Sequence, residues 1–151
     1  RFGRSMVWGI LGEDLPEESN QVLLDPNLPD SDGIPAPKLL YKVSENSERM
    51  LRFNEERCVE ACLAGGAIET NVFHQMPDTG WHLLGTCMMG NDPKKSVVDQ
   101  WGATHDVPNL YIFDGSTFPT SAGLNPTATI MTLALRQTRR LIEQRQKQEV
   151  A

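Results

Sequence analysis

Residues 74–108 hold no sustained apolar period, lie between two segments that read as helices, and carry four glycines, Gly80, Gly85, Gly90 and Gly102. This stretch limits the fold more than any other. An irregular run of such length in a folded domain must be tied down by its flanks. Such runs are often functional, because loops carry reactive groups that a scaffold positions.

The upstream flank is a helical stretch from Ser44 to about Leu63, with Ser44 or Ser47 as its cap and Glu48 near its start. Leu51, Cys58 and Cys62 share one helical face, with Met50 beside it, and Gly65-Gly66 stops the helix. The downstream flank is clearer. Asn125 suits an N-cap, Pro126 suits the first helical position, and Ile130, Ala134 and Leu141 lie on an apolar stripe that ends near Ile142. The polar run EQRQKQEVA beyond it is expected to fray.

The remaining segments read as short strands and turns. Residues 5–12 (SMVWGILG), Leu39–Val43 and Ala67–Phe73 read as strands. Residues 13–37 carry Pro16, Pro26, Pro29, Pro35 and Pro37, and read as turns around a short strand at Val22–Leu24. Asn109–Asp114 (NLYIFD) is a β-rich run followed by Gly115. The chain therefore ends strand, turn, loop, helix, and a helix amino terminus placed after such a turn suits an electron-rich or anionic group. No G-x-G-x-x-G occurs, so the residues alone give half a cofactor site without a pyrophosphate cradle.

With 39% hydrophobic residues among 151, the chain can build a core of one domain or a large piece of one. Its 14 basic and 20 acidic residues give a net charge of -6, which argues against nucleic acid as a partner. Three cysteines, Cys58, Cys62 and Cys87, form no disulfide framework, and the pair on the helix reads as small apolar residues. His74, His82 and His105 complete no zinc pattern with them, so no metal is expected. No membrane span or signal peptide is visible. The chain starts at Arg1 in strand-like sequence and reads as a piece of a longer soluble protein, with cytoplasm and periplasm both open.

His82 stands between Trp81 and Leu83. Apolar neighbours would desolvate it and favour the neutral imidazole that a general base requires; equally, it could be a core histidine satisfied by a carbonyl. Asn125 is either a plain helix cap or an amide held by the helix end to orient an oxygen. Asp114-Gly115 either ends a strand beside a ligand or only makes a turn. His105 reads as solvated, His74 is uninformative, and Arg136, Arg139, Arg140 and Arg145 read as a solvated helix face.

From His82 to about Arg136 the sequence carries, in order, H-x-x-G-T, M-G-x-D-P, S-V-V-D, N-L-Y-I-x-D-G-S and N-P-T before a helix. This series closely resembles the carboxy-terminal signature of the glucose–methanol–choline (GMC) oxidoreductases, which include choline dehydrogenase-like enzymes. The upstream EDLPEESNQVLLDP and GIPAPKLLY are similar to that family's substrate domain, so the resemblance covers nearly the whole chain. Departures are modest: Met88 and Ala103 stand where many members carry a basic residue.

The resemblance implies an α+β fragment that lacks the amino-terminal half of an FAD enzyme. Residues 1–105 would belong to a substrate domain with a mixed or antiparallel sheet and helices. Residues 106–145 would supply the final strand and helix of a Rossmann-like FAD-binding domain, and 146–151 a polar tail. On that pattern His82 matches the catalytic histidine and Asn125 the second active-site position. Asp114 and Gly115 match the turn near the flavin's ribityl and pyrophosphate portion, and Asn125, Pro126 and Thr127 the segment meeting the flavin ring. The implied reaction is oxidation of an alcohol, sugar or polyol CH–OH, with proton abstraction and hydride transfer to flavin, by a dehydrogenase or oxidase. The fragment alone would be inactive without its missing FAD-binding portion. A hydroxynitrile-lyase-like relative that keeps the flavin, or a non-catalytic truncated module, are the alternatives.

Overall fold

The structure is a computed structural model that describes residues 3–74, 80–121 and 124–149. The named elements run β1 (Gln21–Pro29), β2 (Pro35–Leu40), α1 (Glu45–Ala64), a 3-10 turn (Gly115–Thr117) and α2 (Thr127–Glu149). The fold is α+β, and the sheet among the described residues is one antiparallel hairpin of β1 and β2.

The proline-rich segment is therefore more regular than its composition suggests. β1 extends well beyond Val22–Leu24, and β2 starts earlier than Leu39. The register slips between Asp25 and Pro29, around Pro26, and a two-stranded ribbon leaves each strand an outer edge where a missing N–H costs no ladder bond. The connecting turn is built by Asp30, whose Oδ1 accepts from the amides of Asp32 and Ile34, both at 2.9 Å. Gly33 supplies the left-handed residue there, at φ 82°.

Two segments read as strands are not strands. Residues 5–12 have no regular structure, and Met6 and Val7 are 74% and 93% exposed. Residues 67–73 are likewise irregular, with Ile68 fully exposed. Apolar composition makes a strand only where a partner strand supplies the ladder, and among the described residues neither segment has one.

α1 forms as its signals require. The Ser44 side chain accepts from the amide of Ser47 at 3.2 Å, and the chain turns out at Gly65 and Gly66. Its half-buried positions include Met50, Leu51, Asn54, Glu55, Cys58, Val59 and Cys62, and they include the expected face. The segment before the hairpin docks on its first turn: Ser47 Oγ donates to Asp14 Oδ1 at 2.7 Å, and the Tyr41 hydroxyl donates to the other oxygen of that carboxylate. In α2 the inward positions are Ile130, Leu133, Ala134, Gln137, Arg140 and Leu141. This helix runs on to Glu149 rather than fraying after Ile142, because Gln, Glu, Lys and Arg are good helix formers.

The core is small. Among the described residues Val98 is the fully buried hydrophobic one, joined by buried Ser47, Thr117 and Gln137. The accessible surface is 12323 Å². A self-contained globule of 16.8 kDa would expose roughly 7,700 Å² by the area–mass relation. Much of the excess is apolar, including Met131, Leu135 and Ile142 along one side of α2. No helix among the described residues is long and apolar enough to cross a membrane.

Candidate functional site

The irregular block between the helices is held as one hydrogen-bonded unit. Bridges join Met89 to Val98, Val98 to Thr104, and Ala103 to Tyr111. The amides of Cys87 and Met89 donate to the carbonyls of Ser116 and Thr117 at 2.8 and 2.9 Å, which fixes the strip after His82 to the 3-10 turn. The Ile112 amide donates to the Gly102 carbonyl at 2.9 Å. The β-rich run 109–114 thus forms a single bridge at Tyr111 and not a strand, since no further partner lies beside it among the described residues.

Three candidate elements meet at Gly115. A Cβ there would stand 2.9 Å from Leu84 Cδ2, 3.2 Å from Ile130 Cδ1 and 3.4 Å from the Leu83 carbonyl oxygen. The loop that carries His82, the Asp114–Gly115 turn and the first turn of α2 are therefore packed against one another at a position with no room for a side chain. Asp114 builds its own turn: its Oδ1 accepts from the Ser116 amide at 2.8 Å and from Ser116 Oγ at 2.5 Å. The buried Thr117 donates its hydroxyl to the Asp114 carbonyl at 2.9 Å.

His82 lies on the exposed side of this assembly. Its flanking residues do not desolvate it within this chain, because Trp81 and Leu83 are themselves 79% and 73% exposed. Within this chain His82 is therefore not a core histidine. Asn125 is exposed as well, and Pro126 is half-buried. The helix is assigned from Thr127, one residue later than expected, and the Ile130 amide donates to the Pro126 carbonyl at 2.9 Å. Among the described residues the Asn125 side chain makes no capping bond, which leaves its amide available.

The other histidines and Arg140 differ from their sequence readings. His105 is half-buried, not solvated: its Nε2 lies 3.1 Å from both the Gly90 carbonyl and Ser96 Oγ, tying two arms of the loop block. His74 stands between two carboxylates of α1, with Nδ1 2.9 Å from Glu55 and Nε2 3.5 Å from Glu48. Arg136, Arg139 and Arg145 are exposed as expected, whereas Arg140 is half-buried; the Arg136 guanidinium carbon sits 4.0 Å from the centre of the Trp101 ring and that of Arg140 5.4 Å. Local sequence gives no signal for this pairing, because Arg136 and the Trp101 loop meet across a separation of 36 residues. Cys58, Cys62 and Cys87 are free and half-buried. Among the described residues no group of three or more His, Cys, Asp or Glu could hold a metal.

The chemistry of the donor set suits one edge of a flavin. The first-turn amides of a helix have no intrahelical acceptor, and α2 presents them beside exposed Asn125 and Thr127. The neighbouring Leu124 and Met131 are 76% and 67% exposed, an apolar surface against which a flat ring could lie. No glycine-rich phosphate cradle accompanies them in this chain.

The carboxy-terminal GMC oxidoreductase family profile matches residues 16–134. The chain is 46% identical over 136 residues to a 2-methyl-1,2-propanediol dehydrogenase of Mycolicibacterium austroafricanum, covering 89% of this chain and 25% of that protein. It is 38% identical over 131 residues to the paromamine 6'-oxidase of Streptomyces fradiae, covering 83% and 23%. It is 34% identical over 124 residues to the fructose dehydrogenase large subunit of Gluconobacter japonicus, covering 82% and 23%. The chain thus spans about a quarter of the length of these relatives. By sequence over most of its length, this chain belongs to the GMC oxidoreductase family and corresponds to its carboxy-terminal portion.

Proposed function

We propose that this chain supplies one wall of the active site of an FAD-dependent oxidoreductase acting on the CH–OH group of an alcohol, sugar or polyol. The observation that carries this reading is the convergence at Gly115, where the His82 loop, the Asp114 turn and the start of α2 pack together. The contacts there come from Leu83 and Leu84, which follow His82, and from Ile130, in the first turn of the helix that follows Asn125. The activities of the relatives, dehydrogenases and oxidases of small hydroxylated molecules, favour net oxidation over the lyase and the non-catalytic readings.

In this reading residues 1–105 belong to a substrate domain, and 106–145 to the flavin domain as its final strand and helix, with 146–151 a polar tail. The hydrogen bond from the Ile112 amide to the Gly102 carbonyl crosses that boundary, so the two parts meet as one block. Asp114 and Gly115 shape a turn that would hold the ribityl and pyrophosphate portion. Asn125, Pro126 and Thr127 would hold the ring, and the positive end of α2 would stabilise negative charge placed there. When bound, FAD supplies the hydride acceptor.

The work of this chain's own residues is protic and positional. His82, in its neutral form, accepts the hydroxyl proton of the substrate. The Asn125 side-chain amide donates to the same oxygen and holds it in line. Both groups are exposed in this chain, so the cover that excludes water has to come from elsewhere in the protein. The apolar side of α2 at Met131, Leu135 and Ile142 offers a surface for an FAD-binding partner portion.

The test is anaerobic mixing of the full-length flavoprotein with a panel of diols, sugars and polyols. Bleaching of the bound flavin by at least one of them is the expected result. Release of a carbonyl from a cyanohydrin without any bleaching would instead support the lyase reading.

A further inference from the structure

We propose that Trp101, clasped by Arg136 and Arg140, is a positioning residue that sets how α2 presents Asn125 to the His82 loop. The inference rests on the functional reading above and adds the means by which the two catalytic groups keep their relative placement.

Trp101 sits on a stiff tip. Asp99 Oδ1 accepts from the amides of Trp101 and Ala103 at 2.8 and 3.0 Å, and the Asp99 amide donates to the Ala103 carbonyl at 2.8 Å. Val98, the buried centre of the loop block, precedes this tip and is bridged to Met89. The tip is thus mechanically continuous with the strip Cys87–Met89, which follows His82 and is bonded to Ser116 and Thr117.

α2 grips the tip with two arginines one helical turn apart. The Arg136 guanidinium carbon lies 4.0 Å from the ring centre and its Nη1 donates to the Gln100 carbonyl at 3.1 Å, while the guanidinium carbon of Arg140 lies 5.4 Å from the ring centre. Gln137, 1% exposed, is buried on the same helix beside them. Among the described residues neither arginine has a carboxylate within ion-pair distance, so the indole is the group they share.

A helix is rigid over this span. Arg136 lies roughly 14 Å along the axis from the first turn, at 1.5 Å per residue. The helix is therefore held at two points: Ile130 against Gly115, and the arginine pair against Trp101. Two separated contacts fix both the direction and the rotation of α2, which one contact cannot do. Asn125, exposed and without a capping bond, has its position set by this docking.

The experiment uses the full-length flavoprotein. Trp101→Leu, Arg136→Met and Arg136→Lys are made alone, and Trp101→Leu is combined with Asn125→Ala. Amide exchange in α2's first two turns and turnover of an alcohol that bleaches the flavin are both measured. A displacement of about 1 Å at a reacting group can cost up to about a hundred-fold in rate. Trp101→Leu and Arg136→Met should therefore lower kcat between about ten- and a hundred-fold, with faster exchange at Ile130–Ala134. Arg136→Lys keeps a cation over the ring and a donor for Gln100, and should restore most of both.

The cycle separates positioning from general support. In the Asn125→Ala background, Trp101→Leu should lower kcat less than about two-fold further, because the group it positions is gone. Full additivity with Asn125→Ala overturns the proposal, as does equal behaviour of Arg136→Met and Arg136→Lys. If Asn125→Ala alone keeps parental turnover, the functional assignment of Asn125 fails. The exchange arm then decides about Trp101: unchanged protection of α2 overturns its positioning role, and lost protection supports it.

Discussion

Gly102 and Gly33 occupy nearly the same left-handed backbone, at φ 78° and 82°, but very different surroundings. A Cβ on Gly102 would stand 2.7 Å from the Ile112 carbonyl oxygen and 2.7 Å from Phe113 Cδ1. A Cβ on Gly33 would meet nothing within 4 Å. Gly33→Ala should therefore cost only the left-handed conformation, about 1–2 kcal/mol. Gly102→Ala should add overpacking of about 1–3 kcal/mol, for a total of about 2–5. The clash cannot relax cheaply, because the Ile112 amide is itself bonded to the Gly102 carbonyl at 2.9 Å. Urea denaturation of the full-length protein, with each variant compared at an unchanged slope, measures the difference. The close packing of the loop block is refuted if the two variants fall within about 0.5 kcal/mol of each other, the ordinary scatter of a surface change.

Three further outcomes are expected. Val98→Ala removes roughly two methylene equivalents from the centre of the loop block, which should cost about 2–3 kcal/mol once the cavity is included and lower the urea midpoint. Ser44→Ala loses the cap of α1 and should cost about 1 kcal/mol by the same measurement, whereas Ser44→Asn should keep most of it. Burial of its hydroxyl, the hydrogen bond to Asp14 and the charge of that carboxylate push the Tyr41 phenol up from 10.0 to about 12. The fold thus favours the neutral phenol, and that contribution is intact below about pH 10 and lost as pH rises towards 12. Stability of the parent should accordingly fall more steeply over that window than stability of Tyr41→Phe.

What could be read from the sequence followed the range of the forces involved. The cap at Ser44, the glycine stop after Ala64 and the apolar period of α2 are local, and both helices appear close to where those signals place them. Strand pairing is not local. Residues 5–12 and 67–73 have strand-like composition but, among the described residues, pair with no other strand, while the prolines of β1 and β2 proved compatible with a hairpin whose outer edges need no donors. The site divides in the same way. The order of motifs singled out His82, Asp114, Gly115 and Asn125, whose local environments are ambiguous. The surroundings of His82, open rather than apolar, depend on neighbours that local sequence does not specify. The grip of Arg136 on Trp101 was invisible because it joins two elements through a tertiary contact with no sequence spacing of its own.

His82 is the group proposed to take the substrate proton. The direct measurement is the rate of anaerobic flavin reduction by a turned-over alcohol in full-length His82→Ala, with flavin content and fold verified by absorbance and circular dichroism. His82 is exposed in this chain, so the variant should fold and keep its flavin. Loss of a positioned general base should slow reduction by about 10²–10⁴-fold, with partial recovery on adding imidazole. Reduction at the parental rate in a fully loaded variant would contradict the assignment.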